Sequence, residues 1–391
     1  MNDNHSGSNI SRKERKLRQA AEKHQRQRQN ESYYAATQWQ LMRRRFTRNK
    51  LAVVGLAVLV LMYLIAILCE FIAPYDPNQT NASIKNQQPQ MIRFHSEKTG
   101  FSFRPFVYGM EQTYHPVTMK TIYVENPEDI QYLSFFVKGS EYKLWGLFRC
   151  DRHLFGVKGS EQPVTLFGAD SMGRDILSRI CYGARISCSI GLVGVFLSFI
   201  LGVLIGGLSG YIGGKLDSFI QRVIDFIVCL PTLPIWMALS AAIPSDWSVT
   251  KTYFCMVLIL SLMGWPGLAR VVRSKFISLG NEDFIRAARV AGAGTGRIIF
   301  RHMVPSFASY LIAQITLSIP GMILGETSMS FLGLGLRSPA VSWGILLSDA
   351  QNIRNVALYP WTLIPGVFVV LTVMAFNFVG DGLRDAADPY S

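Results

Sequence analysis

Residues 51–73 read LAVVGLAVLVLMYLIAILCEFIA, an apolar run in which Glu70 is the only charged residue. A membrane-spanning helix needs about 20 mostly apolar residues, so this run is long enough to cross a bilayer. No small-residue cleavage pattern follows it, and residues 1–40 contain no apolar core. We therefore expect a first transmembrane helix here, not a cleaved signal peptide.

Five further apolar runs follow along the 391-residue chain, and the segments between them are polar. The composition fits this pattern, because 49% of the residues are hydrophobic and only 17% are charged, whereas a soluble domain carries about 25% charged residues. We therefore expect an all-α polytopic membrane protein with six transmembrane helices. The predicted spans are about 51–73, 186–212, 219–243, 253–272, 307–326 and 357–379.

Basic residues predict the orientation of these spans. Residues 1–50 hold 13 Lys and Arg against four acids, and short loops rich in Lys and Arg stay in the cytoplasm. With the N-terminus inside, the inner loops and the C-terminal tail carry ten basic residues and the short outer loops carry three. We expect both termini to be cytoplasmic. The segment 1–50 is predicted to be a basic tail with an interfacial helix that touches anionic lipid, and nucleic acid is not an expected partner.

The spans divide the rest of the chain into an insert and a core. Residues 74–185 form one long outer segment that is polar and aromatic, and alternating stretches such as KTIYVE at 120–125 are typical of β-strands. We expect a small β-rich extracytoplasmic insert there. Residues 186–391 are then the transmembrane core, with a long inner loop at 277–305.

The second predicted span contains a glycine repeat. Gly202, Gly206, Gly210 and Gly214 recur every four residues, and residues four apart lie on one face of a helix. Such a stripe allows another helix to approach closely. We expect these glycines to serve helix packing and to carry no chemistry.

The inner loop begins with NEDFIRAARVAG at 281–292. Asn281 is a suitable helix N-cap, and Asp283 lies near the positive end of the helix dipole. Ala287 and Ala288 favour a helix and have small side chains. These features predict a slim cytoplasmic helix that enters a groove of a partner or lies at the membrane interface.

The continuation of the loop, AGTGRIIFRHMVP, predicts a second short helix. Gly292 is a natural C-terminal stop for the first helix. Thr295 is suitable as the cap of the second helix, and Pro305 is expected to end it before the fifth span. Arg286 and Arg289 flank the proposed contact, and either acids on a partner or the lipid surface would suit them.

The sequence contains no pattern that predicts catalysis. The stretch Gly213–Lys215 departs from a phosphate-binding loop, because Ser209 replaces its first glycine and Leu216 replaces its Ser or Thr. His302 has no partner at ligand spacing, and the six cysteines form no CxxC pair. We expect no enzyme activity, no catalytic residue, no cofactor and no metal site.

Five blocks of the chain resemble a known family. RAA at 286–288, Gly292 and HMVP at 302–305 together resemble the EAA signature of ABC-importer membrane subunits, although Arg286 stands where that signature is typically acidic. Four further blocks are similar to the C-type permease of dipeptide and oligopeptide importers, some longer members of which carry an insert after the first span. These blocks are RRRFTRNKLA (43–52), GADSMGRDILSR (168–179), SFLGLGL (330–336) with SWG (342–344), and GDGLRDAADP (380–389).

The resemblance implies a fold, a set of partners and a function. It implies the type I ABC importer permease fold in a bacterial cytoplasmic membrane, a second permease subunit of the same fold, two ATPase subunits and an extracytoplasmic substrate-binding protein. Di- or oligopeptides are the expected solutes, and close relatives carry nickel, glutathione or oligosaccharides instead. The ATPase-coupling residues it implies are Asp283, Arg286, Ala287, Ala288, Arg289, Gly292 and Pro305.

Two other classes of protein remain as alternatives. A secondary transporter or channel needs ionisable groups within the membrane, and the candidates are Glu326 and the pair Arg222–Asp225. We expect Glu326 to be a structural hydrogen-bonding group and the pair to be structural as well. A membrane-tethered receptor would need a single span, so six predicted spans argue against it.

Overall fold

The computed structural model describes most of the chain. The predicted basic tail up to residue 37 lies outside the described residues, and so does the end of the chain from residue 388. The described residues are 38–96, 100–114, 116, 121–157, 163–244 and 246–387.

The described residues form a helical core and one antiparallel sheet. The helices are α1 (Gln38–Arg48), α2 (Lys50–Ile67), α3 (Cys69–Ile72), α4 (Ile176–Ile212), α5 (Gly214–Cys229), α6 (Thr232–Ala241), α7 (Val249–Leu279), α8 (Asp283–Val290), α9 (Thr295–Arg297), α10 (Val304–Ser306), α11 (Ala308–Phe331), α12 (Trp343–Ser348), α13 (Ile353–Leu358) and α14 (Ile364–Ala387). The strands are β1 (Arg93–Ser96), β2 (Gly100–Tyr114), β3 (Thr121–Leu144) and β4 (Phe148–Val157).

Among the described residues, five helices are long and apolar enough to cross a membrane: α2, α4, α7, α11 and α14, the last together with the turn that precedes it. Their buried faces meet in one core to which α4, α7, α11 and α14 contribute Ile190, Leu260, Ile323 and Phe376. Side chains on the opposite faces of α2 and α14, such as Leu61 and Val370, are exposed and apolar. The helices therefore have both a protein-facing and a lipid-facing side.

The third predicted span is not one straight helix. The helices α5 and α6 reach the length and hydropathy of a span only as a pair, and the pair bends by 85°. The break falls at Leu230, whose ψ of 135° is extended. Pro231 explains it, because a proline lacks the N–H that continues a helix and disfavours helical geometry in the preceding residue.

The helix α4 begins ten residues before the predicted start of the second span at residue 186. Its N-cap is Asp175, whose carboxylate accepts hydrogen bonds from the Ser178 amide and hydroxyl at 2.7 and 2.6 Å. Asp170 accepts charge-assisted hydrogen bonds from Arg174 and Arg179 just outside this cap. Polar residues can therefore extend the helix beyond the apolar run, which hydropathy alone does not predict.

The glycine face of α4 lies against α7. A Cβ added to Gly202 would approach the Leu268 side chain to 2.9 Å, and one added to Gly206 would come within 2.8 Å of Ala269 Cα. A Cβ on Gly210 would lie 2.7 Å from the Arg273 carbonyl oxygen. Real Cβ atoms do not come this close, so the glycines allow the two backbones to touch.

Gly214 does not belong to this stripe. The helix α4 ends at Ile212, and Gly213 and Gly214 both have positive φ angles, 69° and 63°. No atom lies within 4 Å of the position that a Gly214 Cβ would occupy. Gly214 therefore serves the turn into α5 instead of helix packing.

The segment between α3 and α4 contains the predicted β-rich insert. Its four strands pair antiparallel in the order β1-β2-β3-β4. Phe106 and Val107 of β2 are fully buried. Of the stretch predicted to be a strand at 120–125, residue 120 lies outside the described residues and residues 121–125 form the start of β3, which pairs with β2 from Thr121 opposite Tyr114. The insert is thus a folded unit with its own buried side chains.

Two hydrogen bonds join the sheet to the ends of the first helices. The His153 ring nitrogen Nδ1 lies 2.6 Å from the Ala73 carbonyl oxygen, and the Trp145 indole N–H donates to the Ile67 carbonyl at 2.8 Å. On the other side, the Gln90 side chain links the sheet to the segment that leads into α4, because it accepts from the Thr165 amide at 2.7 Å and donates to the Tyr108 carbonyl of β2 at 3.0 Å. The sheet is therefore fixed to the ends of α2 and α3.

The close contact between α4 and α7 predicts that a methyl group added at a contact glycine lowers the stability of the protein, whereas one added elsewhere does not. We expect Gly206→Ala to destabilise the protein by about 1–3 kcal/mol, because the new methyl overpacks against α7. The matched control is Gly267→Ala, at a glycine of α7 with no atom within 4 Å of the added Cβ. The control should be neutral or stabilise the helix by up to about 1 kcal/mol. Thermal unfolding of both purified variants in detergent gives the comparison, and equal midpoints would contradict the close approach.

Candidate coupling loop and membrane groove

The loop at 277–305 contains the predicted short helix as α8. The helix begins one residue later than its sequence suggests, because Glu282, not Asn281, occupies the cap position with extended backbone angles of −72° and 144°. No side chain caps the helix there. Asp283 lies in the first turn, where its charge favours the positive end of the helix dipole.

Gly292 follows α8 at the predicted stop, and its backbone is left-handed, with φ of 78°. The Ala293 amide donates to the Ala288 carbonyl and the Gly292 amide to the Arg289 carbonyl, both at 3.0 Å. These two bonds form a Schellman cap, which satisfies carbonyl groups that a helix end otherwise leaves unpaired. The glycine therefore fixes the length and direction of the helix.

One face of α8 packs against the body of the protein. Ile285 is fully buried in a cluster with Phe276 of α7 and Met303, and Ala288 is half-buried against the same cluster. The Arg289 guanidinium lies 4.9 Å from the centre of the Tyr211 ring. The inner face of α8 is therefore attached to α4 and α7.

The opposite face of α8 is exposed. Asp283, Ala287 and Val290, at positions i, i+4 and i+7, lie along it, and Arg286 is exposed beside them. Val290 is 90% exposed and Phe284 is also exposed, which is unusual for large apolar side chains on a polar loop. The two predicted contact residues thus differ, since Ala287 points outward and Ala288 points inward. Phe284 and Val290 were not predicted to be part of the contact. The sequence signal that could have indicated them is the presence of apolar residues on the polar side of a short amphipathic helix.

The second half of the loop is a platform beneath α8. Gly294, not Thr295, occupies the cap of α9, which continues into a π-helical turn at Ile298–Met303 and then into α10. Ile298 and Ile299 are buried in the same cluster as Ile285. The buried cluster thus couples α8 to α7 and to the helical run that leads into α11.

Pro305 was predicted to end the second helix. It lies within α10, which continues to Ser306, and the break before α11 falls at Phe307, with φ of −127°. Proline is tolerated here because the first turn of a helix needs no N–H at that position.

Two ion pairs hold the neighbouring helix ends together. The Arg273 guanidinium donates two hydrogen bonds to Asp217, at 2.5 and 2.6 Å, which ties α7 to α5. Asp225 pairs with Arg270 at 2.6 Å. The predicted pair Arg222–Asp225 is therefore wrong, because a guanidinium on the adjacent helix α7 reaches the carboxylate instead.

A groove opens between α4, α6, α7 and α11. Its cavity volume is about 310 Å³. Its walls are mostly apolar, with Trp236 and Met322 among them, and Thr232, Gln314 and Ser318 supply polar groups. Gln314 and Ser318 are four residues apart on α11 and so share a face. Their sequence signal is a polar pair within the fifth apolar run.

Glu326 lies fully buried at the other end of α11. The hydroxyl groups of Ser342 and Ser330 donate to Oε1 at 2.7 and 2.8 Å, and Ser187 donates to Oε2 at 3.1 Å. Ser187 also accepts a hydrogen bond from the Trp343 amide. Glu326 therefore joins α4, α11 and α12. Within the described residues, no three His, Cys, Asp or Glu side chains are grouped so that they could hold a metal ion.

Sequence models of two families match the chain. The family described as "Binding-protein-dependent transport system inner membrane component" matches residues 202–390, and the "N-terminal TM domain of oligopeptide transport permease C" matches residues 37–89. Neither match includes the four strands.

Curated relatives agree with these families. "Oligopeptide transport system permease protein OppC" of Bacillus subtilis is 38% identical over 224 residues, which cover 57% of this chain and 71% of the relative. The protein of the same name from Haemophilus influenzae is 40% identical, with coverage of 57% and 70%. "Dipeptide transport system permease protein DppC" of B. subtilis is 37% identical, with coverage of 57% and 68%.

A solved structure of an inward-facing MetNI methionine ABC transporter also matches. The TM-score is 0.41 at 17% identity, and the match covers 53% of this chain and 96% of the other.

The family models and the curated relatives define a permease subunit of an ABC importer, and the five or six apolar helices of the described residues, with a small β insert, fit that class. The chain belongs to the family of binding-protein-dependent transport system inner membrane components, in its branch of C-type oligopeptide and dipeptide permeases. Subunits of this family are not themselves catalytic and work with an ATPase and a binding protein.

The Schellman cap makes a prediction for two glycines of the loop. We expect Gly292→Ala to weaken the end of α8 by about 1–2 kcal/mol, because a Cβ strains the left-handed backbone. Gly294→Ala is the matched control, since its φ is −66° and no atom lies within 4 Å of the added Cβ. Hydrogen exchange at residues 283–291 should become roughly 5–30-fold faster in the first variant only. Equal exchange in both variants would exclude the cap.

Proposed function

We propose that this chain is one of two related permease subunits that together import di- or oligopeptides. A second permease of the same fold completes the pathway, two ATPase subunits bind from the cytoplasm, and an extracytoplasmic binding protein delivers the solute. The observation that carries the proposal is the 37–40% identity to relatives named as oligopeptide and dipeptide permeases.

The proposed orientation places both termini and α8 in the cytoplasm and the β insert outside. The ten-to-three excess of basic residues in the inner segments supports it. On this orientation, the broken pair α5–α6 starts at the cytoplasmic side, and the short helices α12 and α13 lie at the outer side. The predicted division into tail, first span, insert and core fits this arrangement, with the core extended back to Ile176.

The outer face of α8 is the proposed contact with an ATPase subunit. Ala287 allows close approach, and Phe284 and Val290 supply apolar area that water otherwise covers. Asp283 and Arg286 lie on the same exposed side and provide charges for pairing. Apolar anchors surrounded by charged residues are typical of protein interfaces.

The inner face of α8 is the proposed transmission element. Ile285 and Ala288 pack against Phe276 and Met303, so a displacement of α8 must move α7 and α10 or open a gap in the cluster. Because packed interiors compress little, the motion passes to the helices that border the groove. Gly292 and Pro305 keep the loop in register, and Arg289 is held by Tyr211 instead of facing the ATPase.

The groove between α6, α7 and α11 is proposed to line this subunit's half of the solute path, and the second permease subunit supplies the other half. A peptide main chain carries donors and acceptors in every residue, and Thr232, Gln314 and Ser318 offer partners of both kinds. Apolar walls tolerate varied side chains, since hydrophobic contact is not directional. Such a path would accept many peptides, and the binding protein would set the solute.

The coupling proposal predicts the effect of a charge on α8. We expect Ala287→Glu to abolish peptide uptake in proteoliposomes and to prevent co-purification of the ATPase, because a buried unpaired carboxylate is costly at a close contact. Ala357→Glu is the matched control, at an exposed alanine of α13. The control should keep the ATPase bound. If Ala287→Glu retains both uptake and co-purification at the wild-type level, α8 is not the coupling element.

The groove makes an independent prediction. We expect Gln314→Leu to slow uptake of short peptides by up to about tenfold, since a hydrogen bond contributes about 0.5–1.5 kcal/mol. Binding of the ATPase should not change. Gln79→Leu, at an exposed position outside the groove, is the control. Uptake of several peptides with different side chains should fall to the same extent, and an unchanged rate would remove Gln314 from the path.

A further inference from the structure

The tip of the β3–β4 hairpin lies beside the end of the first membrane span. The strands pair as far as Leu144 opposite Phe148, and a three-residue loop, Trp145 to Leu147, joins them. The Trp145 indole donates to the Ile67 carbonyl at 2.8 Å. Ile67 is the last residue of α2, so the tip is held at a known level of the apolar helix.

A charged pair marks where the apolar surface of α2 ends. Arg185 donates to the Glu70 carboxylate and also to the carbonyl groups of Ala66 and Ile67. Glu70 lies about one helical turn beyond Ile67. The Ile67 carbonyl thus accepts from both Arg185 and Trp145, so the tip contacts the span at the polar boundary itself.

The side chains of the tip are apolar and exposed. Leu147 is 75% exposed, Phe148 60% and Trp145 53%. The neighbouring surface of α2 is also apolar and exposed, at Leu64 and Ile67. The tip thus continues the surface that a membrane-spanning helix presents to lipid.

The tip holds a tryptophan at a position where the backbone conformation suits smaller residues better. Trp145 has φ of 52°, in the left-handed region where a bulky side chain is rare. Asn, Asp or Gly would suit that position better. A tryptophan there places an amphipathic indole beside the end of a span, and such rings are enriched at membrane–water interfaces.

Two basic residues lie one step behind the apolar tip. Lys143 and Arg149 are exposed and directly opposite each other in the ladder, and like charges in that arrangement repel. Among the described residues, neither forms a salt bridge, whereas Lys138 further along β3 pairs with Asp151. An anionic headgroup would relieve the repulsion.

We propose that the hairpin tip is a lipid anchor. Trp145, Leu147 and Phe148 insert into the acyl-chain boundary of the leaflet at that end of α2, and Lys143 and Arg149 bind phosphate groups of anionic phospholipid. The anchor fixes the insert to the bilayer surface. It requires neither the proposed solute nor the proposed side of the membrane, because it depends only on the level of the tip along α2.

The test measures the environment of the tip in the assembled transporter. Leu147→Cys and, as control, Thr113→Cys at the far end of the sheet are labelled with an environment-sensitive fluorophore (NBD). The background replaces Cys150, Cys229 and Cys255 by Ser, since these cysteines are not buried. Both proteins are reconstituted in vesicles of phosphatidylcholine and phosphatidylglycerol, and a thermal unfolding midpoint equal to that of the unlabelled protein confirms the fold.

The expected result is a blue-shifted emission at position 147 and quenching by a lipid nitroxide several-fold stronger than at position 113. Iodide should quench position 113 more strongly. Raising the phosphatidylglycerol fraction should increase the lipid quenching, and a Lys143→Gln/Arg149→Gln variant should lose that dependence. Equal lipid quenching at both positions overturns the anchor. Protection of position 147 from both quenchers also overturns it, because the tip would then be covered by another protein subunit.

Discussion

The close approach of α4 and α7 is the contact on which the rest of the structure depends. Gly206 and Gly210 allow backbone atoms of Ala269 and Arg273 to lie where any side chain would stand. In a bilayer, lipid is as apolar as the helices, so burial of apolar area contributes little to association and close packing must supply it. The helix α7 held in this way borders the groove at one end and carries Phe276, the anchor of the coupling platform, at the other.

In the proposed coupling, α7 acts as a lever between the groove and α8. The ion pair between Arg273 and Asp217 adds α5 to the same rigid group, and Arg270 adds a second link through Asp225. Ile285 packs against Phe276 of α7, and α7 is paired to α5. A force applied to α8 therefore reaches α7 and α5 together. The alternative, in which α8 moves without α7, would open a cavity beneath it, and cavities in packed cores are costly. The geometry thus favours rigid-body motion over local bending.

Sequence patterns predicted the features that depend on local chemistry. The apolar runs, the glycine face of α4 and the left-handed turn at Gly292 follow from composition, period and backbone sterics. Features set by tertiary context were missed. The partner of Asp225 is on a neighbouring helix, Ala288 turns inward because Ile285 anchors that face, and the groove exists only when α6, α7 and α11 meet. Some local features were also misread. The helix caps fall at Glu282 and Gly294 instead of at Asn281 and Thr295. The third span breaks at Leu230, since Pro231 in an apolar run is compatible with either a kink or a complete stop.

The attachment of the sheet constrains how the insert can act. His153 and Trp145 tie β4 and the hairpin tip to the ends of α2 and α3, and Gln90 ties the opposite side to Thr165, in the segment that leads into α4. These helix ends belong to one packed group, in which Cys69 and Cys181 are buried together. The insert must therefore move with the first two spans and not as a tethered domain. Any partner that docks on the sheet then applies its force to α2 and α4, and the glycine contact passes that force to α7.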